Sequence, residues 1–377
     1  MLIKNENKMK IMIVGGAFAI FAILWVVAST GENASFLDMM GPRTVHFVSG
    51  RIVDYEKTLP TDHTPFYGQF LSVEILSGEL EGIVAGVQHY FLSPAFPQFN
   101  IGDRVVLSLN EVTDTIMIYN PNRSHLLIGV VVVFLVLLCA IGGKRGVLSV
   151  LGLVFSLLSI VGILVPLTLQ GHSSIIISLL VAILITLVSI TLLAGVNSKS
   201  LSAMAGCIFG VLSAGLLAFL AGHLAFINGN HTEQAGQLMM LDGIDLSGVF
   251  VSGVIISALG AIMDTAMTIA SSMEEVKRAN LAISRAQLFK AGLNVGRDAM
   301  GTMSNTLILA FVGSSLSLML IIFASEVSFL HFINDDNIGI EIIQGIAGSI
   351  GIILTVPFTT FIASKLFNVK KIKQISE

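Results

Sequence analysis

Long apolar stretches recur along this sequence and restrict its fold more than any other feature. About 20 apolar residues in a helix cover the roughly 30 Å hydrocarbon core of a bilayer. The eight predicted spans are residues 11–28, 126–141, 147–169, 175–196, 201–227, 246–272, 303–325 and 338–363. Charged residues make up only 12% of the chain, well below the level of about 25% that is typical of soluble domains. The sequence therefore predicts a mainly α-helical, polytopic transmembrane bundle.

The basic residues predict how these spans are oriented. They fall on one side of the predicted membrane, at Lys144 and Arg145, at Lys199, within residues 277–297 and within residues 365–377. The intervening loops, residues 170–174, 228–245 and 326–337, contain no Lys or Arg. Cytoplasmic loops are enriched in these two residues. We therefore expect a multi-pass protein of the cell membrane with both termini in the cytoplasm.

The same pattern predicts four domains. Residues 1–31 form an N-terminal membrane anchor, residues 32–123 a small extracytoplasmic domain, residues 124–364 a seven-helix transmembrane bundle, and residues 365–377 a basic cytoplasmic tail. The first span follows three lysines, which also fits a cleaved signal peptide, but its length favours an uncleaved anchor.

Between the first two spans the apolar period changes to that of β-strands. Short alternating runs occur at residues 45–53, 70–76, 83–91, 105–109 and 115–119. Five short strands separated by turns predict a small all-β barrel of OB or SH3-like type. Residues 32–123 hold five basic against eleven acidic residues, and this balance argues against binding to nucleic acid, which requires a basic surface.

One span, residues 246–272, contains a carboxylate near its middle. Asp264 precedes Glu274 by ten residues, or about 15 Å along a helix. A charge at that depth costs from about 2.5 to more than 10 kcal/mol unless it faces protein or water. Small and polar residues share its helical face, namely Gly253, Ser257, Gly260, Ala261, Thr268 and Ser271. We expect this face to point into the bundle, either as a solute or ion site or as a packing seam in which Asp264 is only hydrogen-bonded.

A ladder of small residues at intervals of four follows the span of residues 201–227. It consists of Ser202, Gly206, Gly210, Ala214, Ala218 and Gly222. Such spacing lets two helices approach closely. We therefore expect a helix-packing ridge, directed at the span that carries Asp264.

The loop at residues 274–301 contains further polar candidates. Ser284 and Gln287 fit a capping box, and Gly292 suits a helix end, so residues 284–291 are expected to form a short amphipathic helix on the membrane surface. Arg297 fits either a structural ion pair or a gate. Asp298 is expected to cap the helix of the next span, which Asn305 then enters.

Two stretches resemble a known family. They are Gly260 to Asp264 with Ile269 to Ser272, and Gly296 to Asp298 with Met300 to Thr302 and Asn305 to Ala310. Together they are similar to the YibE/F membrane proteins, and the similarity is expected to extend over the whole chain. The resemblance implies a multi-pass integral membrane protein and assigns no activity to any residue.

Enzymatic motifs are missing from the sequence. It contains no HExxH, GxSxG, Walker A or GxGxxG motif in a fitting context, and an intramembrane aspartyl enzyme would need a second acid beside Asp264. His223, His231, Asp242 and Asp245 have no specific metal-ligand spacing. We therefore expect neither an enzyme nor a cofactor nor a metal site.

Transport fits the pattern better. We expect a transporter or permease of an unidentified small solute or ion in the lipid bilayer, with Asp264, Ser257, Thr268, Arg297 and Asn305 as its binding candidates. In one version a separate ATPase, docked on residues 284–291, drives it. The alternative is a non-transport membrane scaffold whose external β domain binds an envelope or protein partner.

Overall fold

A computed structural model describes most of the chain. The described residues are 15–28, 45–58, 67–91, 98–110, 113, 115–227, 235–238 and 243–367. The chain divides into two compact units, one made of residues 1–36 and 142–377 and the other of residues 37–141.

The second unit contains the five predicted strands. They are β1 (Val45–Thr58), β2 (Tyr67–Ile75), β3 (Val84–Phe91), β4 (Arg104–Asn110) and β5 (Thr115–Pro121). All pair antiparallel, in the order β3-β2-β1-β4-β5. The edge strands β3 and β5 also approach each other, so the sheet curls into a partly open barrel. This order fits the OB alternative of the two predicted barrel types.

Alternation along the strands fills the inside of this barrel. Ile52, Leu71, Val73 and Leu107 are fully buried there, as expected for residues that share one face of a curled sheet. Gln69 is the polar exception. Its side-chain nitrogen donates to the Phe99 carbonyl at 3.1 Å, and its side-chain oxygen accepts from the Phe99 amide at 3.0 Å. The Gln69 amide therefore pairs with the Phe99 backbone through one donated and one accepted hydrogen bond, as a neighbouring strand would.

The rest of the described chain is mainly helical. The helices are α1 (Gly15–Ala28), α2 (Ser124–Ser159), α3 (Val165–Leu169), α4 (Ser174–Ala194), α5 (Ser198–Leu224), α6 (Ala235–Leu238), α7 (Leu246–Ala279), α8 (Arg285–Ser314), α9 (Leu316–Ala324), α10 (Phe329–Ile333) and α11 (Asp336–Leu366). A π-helical turn, Ile160–Leu164, joins α2 to α3.

Several of these helices are long and apolar enough to cross a membrane. Within the described residues five qualify, and a sixth is obtained if α8 and α9 are taken as one bent span. Two of the predicted spans fall in one 46-residue helical stretch from α2 to α3, which is broken at Gly143 by a φ of 54°. The count of eight spans, the orientation and the external position of the barrel stay predictions.

Helix α1 packs on the end of α2 and the π-helical turn. The rings of Phe18 and Phe21 lie 5.4 and 5.2 Å from the ring of Phe155. Trp25 lies directly over Gly162, where any larger residue would collide with its ring. The first helix is thus held by residues from a distant part of the sequence.

The small-residue ladder of α5 lies inside the bundle. All six of its residues are buried. Its main neighbour is α11, where Thr355 donates a hydrogen bond to the Gly351 carbonyl at 2.8 Å and lies 3.4 Å from the Gly206 carbonyl. The ladder also packs on α7, the neighbour that we expected, with Gly210 against Ile262 and Gly222 against Phe250. Small residues of α11, such as Gly351 and Thr355, let its backbone approach the ladder more closely than the large aliphatic residues of α7 do.

Helix α8 differs from its prediction. It starts with the expected capping box of Ser284 and Gln287, but it then continues without a break to Ser314. The prediction of a short, separate surface helix at residues 284–291 is therefore wrong, since these residues form the first turns of α8. The ATPase that was expected to dock there stays a prediction. Gly292 does not end a helix, because it is buried where Met273 and Thr360 leave no room for a side chain. Asp298 lies in the helix interior and caps nothing.

Candidate functional site

Helix α7 buries one face and exposes the other. Ile255, Ile262 and Ile269 are fully buried in the bundle. The exposed residues are Gly253, Ser257, Gly260, Asp264 and Thr268. The prediction that this small, polar face points into the bundle is therefore wrong for the single chain. Burial of the large aliphatic side chains on the opposite face removes far more apolar surface, at roughly 25 cal/mol per Å², so that face packs on α4, α5 and α11.

Helices α7 and α8 form an antiparallel hairpin with a defined register. Gly292 of α8 lies against Met273 of α7, and Gly296 lies against Ile269. Moving four residues forward on one helix therefore corresponds to moving four residues back on the other. This register fixes which of the remaining residues lie at equal height.

Continuing the register places the predicted site residues at matching heights along the two helices. The pairs at equal height are Thr268 with Arg297, Asp264 with Gly301, and Gly260 with Asn305. All six residues are exposed. We call the surface formed by Gly253, Ser257, Gly260, Asp264, Thr268, Arg297, Gly301 and Asn305 the polar face. Four of the five binding candidates, all but Ser257, thus belong to three successive pairs of this register.

Two glycines keep the surface beside Asp264 open. No atom lies within 4 Å of the position that a Cβ would take at Gly260 or at Gly301. Gly301 stands at the height of Asp264, and Gly260 is one turn away on the same helix. The exposed faces of both helices are therefore open at this height.

The charges of the polar face are unpaired among the residues that the structure describes. Neither Asp264 nor Arg297 makes a hydrogen bond or ion pair with any of the described residues. The acid at the end of the same helix behaves differently, since Glu274 lies 3.2 Å from Lys199 and 3.1 Å from Arg278. Arg297 therefore has no structural ion pair here, and Asp264 is not part of a hydrogen-bonded packing seam.

The hydroxyls of the polar face differ in their availability. The Ser257 hydroxyl donates to the Val254 carbonyl of its own helix at 3.1 Å, so its hydrogen is already used. The Thr268 hydroxyl makes no such bond among the described residues. Asp264, Thr268, Arg297 and Asn305 are thus the groups that a solute would meet with their bonding capacity free.

The described residues contain no cluster that suits a metal ion, since no group of three His, Cys, Asp or Glu side chains among them could hold one. Of the four residues His223, His231, Asp242 and Asp245, whose spacing is not specific for a metal, His231 and Asp242 lie outside the described residues.

One acid was passed over by the sequence reasoning. Glu341, on the second turn of α11, has a carboxylate oxygen that is buried without a hydrogen-bond partner. The only signal in the sequence is an acid just inside an apolar stretch, and the same pattern fits an ordinary helix end. Its significance depends on neighbours from three other helices.

Comparison with known proteins identifies the helical part of the chain. The family model of YibE/F-like proteins matches residues 130–369, which is more than half of the sequence. The chain belongs to the YibE/F-like protein family. The YibE/F-like region includes the whole polar face and none of the five strands, so the resemblance expected for the barrel lies outside the match. No curated protein and no solved structure matches the chain.

Proposed function

We propose that this YibE/F-like protein moves a small solute or ion across the cell membrane and that Asp264 binds it. The observation that carries the proposal is an unpaired carboxylate near the middle of a helix of transmembrane length. A carboxylate selects for a proton, a metal cation or an organic cation, and the neighbouring Thr268 and Asn305 add neutral polar contacts. The proposed orientation has both termini in the cytoplasm and the barrel outside.

The exposure of Asp264 favours a surface that contacts water or protein over one that contacts lipid. A charged side chain in contact with hydrocarbon at this depth costs at least about 2.5 to 3.5 kcal/mol. Arg297, one turn nearer the basic end of the hairpin, would carry a similar cost. We infer that the polar face is covered by water and protein when the molecule works.

A second copy of the chain is the cover that the charges favour. Two copies related by a twofold axis along the membrane normal would face each other at equal depth. Asp264 and Arg297 differ in height by four residues, or about 6 Å, which an arginine side chain can bridge. The open surface at Gly260 and Gly301 permits close approach of the helices. The path then runs between two polar faces.

The decisive variant is Asp264→Asn, which keeps the shape and removes the charge. A metabolite and ion profile of cells with and without the protein first supplies the transported species. We expect Asp264→Asn to abolish that transport while membrane insertion stays normal. The matched control is Glu275→Gln, an exposed acid on the same helix outside the apolar part, which should transport normally. Full activity of Asp264→Asn would reject the mechanism.

A second candidate function, partner binding by the barrel, is favoured by an exposed apolar patch. Phe47, Met117 and Tyr119 are 57%, 60% and 61% exposed, and the rings of Phe47 and Tyr119 meet edge to face at 4.9 Å. Apolar side chains grouped in this way on a surface are typical of interaction sites. In this version the barrel binds an envelope or protein partner, and the bundle is an anchor.

The two candidates separate in one pair of variants. Phe47→Ser with Tyr119→Ser removes the patch without touching the barrel interior. If the scaffold version holds, this double variant loses function and Asp264→Asn does not. If transport by the polar face holds, the outcome is reversed.

A further inference from the structure

The bend between α8 and α9 opens a cavity in the helical unit. The two helices meet at 56° across Ser315, and α10 and α11 close the other sides. The space measures about 350 Å³, at the lower end of the range of about 300 to 1,000 Å³ that is typical of ligand pockets. Its lining is apolar except at two positions and includes Ile308, Phe311, Met319, Phe332, Ile342 and Ile346.

Glu341 is the one charged residue of that lining. Its Oε2 is buried without a hydrogen-bond partner. Its Oε1 lies 3.4 Å from the Ser314 hydroxyl, but that hydroxyl has a single hydrogen and lies only 2.7 Å from the Phe311 carbonyl. A hydrogen bond at 2.7 Å is much the stronger of the two. The carboxylate is therefore left without a full donor.

The other polar residue of the lining supplies no donor either. The Ser315 hydroxyl lies 3.0 Å from the same Phe311 carbonyl, so its hydrogen is also directed to the helix backbone. A buried carboxylate that lacks donors is costly. The cavity thus combines a large apolar surface with one strong acceptor, whose Oε2 has no hydrogen-bond partner among the described residues and whose Oε1 has only the long contact with Ser314.

We propose that this cavity binds a protonated amine that carries an apolar chain. The ammonium N–H groups complement the Glu341 carboxylate, and the chain fills the space between the aliphatic and aromatic side chains. A lipid acyl chain alone would fill the space but leave the carboxylate unpaired, and an anionic ligand would be repelled. The site is distinct from the polar face, because none of the residues that define that face belongs to the cavity lining, and it does not depend on the transport proposal.

The probe for this site is octylammonium, and two relatives isolate the role of the charge and of the N–H groups. Octanol keeps the chain without the charge, and octyltrimethylammonium keeps the charge without an N–H donor. Binding is measured by titration calorimetry on the full chain in nanodiscs, with empty nanodiscs subtracted. We expect saturable binding of octylammonium that is at least about tenfold tighter than that of either relative.

Two variants complete the test. Glu341→Gln should weaken octylammonium binding about tenfold or more and leave octanol binding unchanged, whereas Glu275→Gln should change neither. Gly345→Leu places a side chain in the cavity next to Phe311 and Ile308 and should abolish binding of all three probes. Equal binding of octylammonium and octanol to the unaltered protein would overturn the proposal, and this comparison holds even if a variant does not fold. Unchanged octylammonium binding in Glu341→Gln would also overturn it.

Discussion

Two helices of this protein carry the same pattern of small residues and use it in opposite ways. On α5 the ladder from Ser202 to Gly222 is buried against α11. On α7 the row from Gly253 through Gly260 to Thr268 is exposed. The difference lies in the partner. Helix α11 offers Gly351 and Thr355 to the α5 ladder, while no helix of the described chain covers the row on α7. Small residues at intervals of three and four therefore permit a close contact, but the pattern alone does not show whether a helix covers them.

The largest expected effect comes from filling the buried contact. At Gly210 a Cβ would lie 3.0 Å from the Gly351 carbonyl oxygen and closer still to Thr355. Gly210→Leu should therefore separate α5 from α11 and destabilise the fold by more than the 1 to 3 kcal/mol that is typical of an overpacked core. Gly260→Leu, where no atom is within 4 Å, should leave stability nearly unchanged. The check is the midpoint of thermal unfolding in detergent, and equal loss in both variants would contradict the contrast.

A change of intermediate size tests the proposed second copy. In a chain with Cys139→Ala and Cys207→Ala, the variant Gly260→Cys should form a covalent dimer in native membranes after mild oxidation. The control is a cysteine at Leu212, which is exposed on α5 but lies away from the polar face, and it should stay monomeric on a non-reducing gel. Absence of the dimer at Gly260 would remove the second copy as the cover of the polar face.

The smallest expected effect concerns one hydroxyl in the buried contact. Thr355→Val keeps the shape of the side chain and removes its bond to Gly351 together with its approach to Gly206. Hydrogen bonds between membrane helices contribute about 0.6 kcal/mol on average, so we expect a loss of about 1 kcal/mol or less. Thr306→Val is the matched control, because the Thr306 hydroxyl bonds only to Thr302 of its own helix, at 2.9 Å, and is exposed. Titration with denaturant should give a larger loss for Thr355→Val, and the reverse order would show that the α5–α11 contact does not depend on this hydroxyl.

Local signals in the sequence were sufficient for much of the fold. The five strands are visible from alternation alone, because successive side chains of a strand point to opposite faces of the sheet whatever its partners are. The capping box at Ser284 is equally local, since both of its residues lie within one turn. Gly292 was misread because a glycine suits a helix end and a close contact equally well, and only Met273 and Thr360 decide between them.

The candidate site was harder to predict for a related reason. Asp264 and its helical neighbours follow from spacing, but the direction in which they face depends on which side of α7 finds the better partner. The packing of Ile255, Ile262 and Ile269 on α4, α5 and α11 sets the orientation of α7. A local sequence pattern does not reveal these contacts, because they are made with distant parts of the chain. The hairpin register that places Thr268 level with Arg297 was also out of reach, because residues 284–291 were expected to form a separate helix and Asp298 to cap the next one, whereas α8 runs unbroken from Arg285 to Ser314.

The position of α1 has a consequence for how the protein is made. Its aromatic residues pack on Phe155 and Gly162, which the ribosome adds more than a hundred residues later, after the whole barrel. At a synthesis rate of about 5 to 20 residues per second, Gly162 is made on the order of ten seconds after Trp25. During that interval α1 lacks its packing contacts on α2 and the π-helical turn. The number of residues in the barrel, which lies between α1 and α2 in the sequence, therefore sets the delay before these contacts can form.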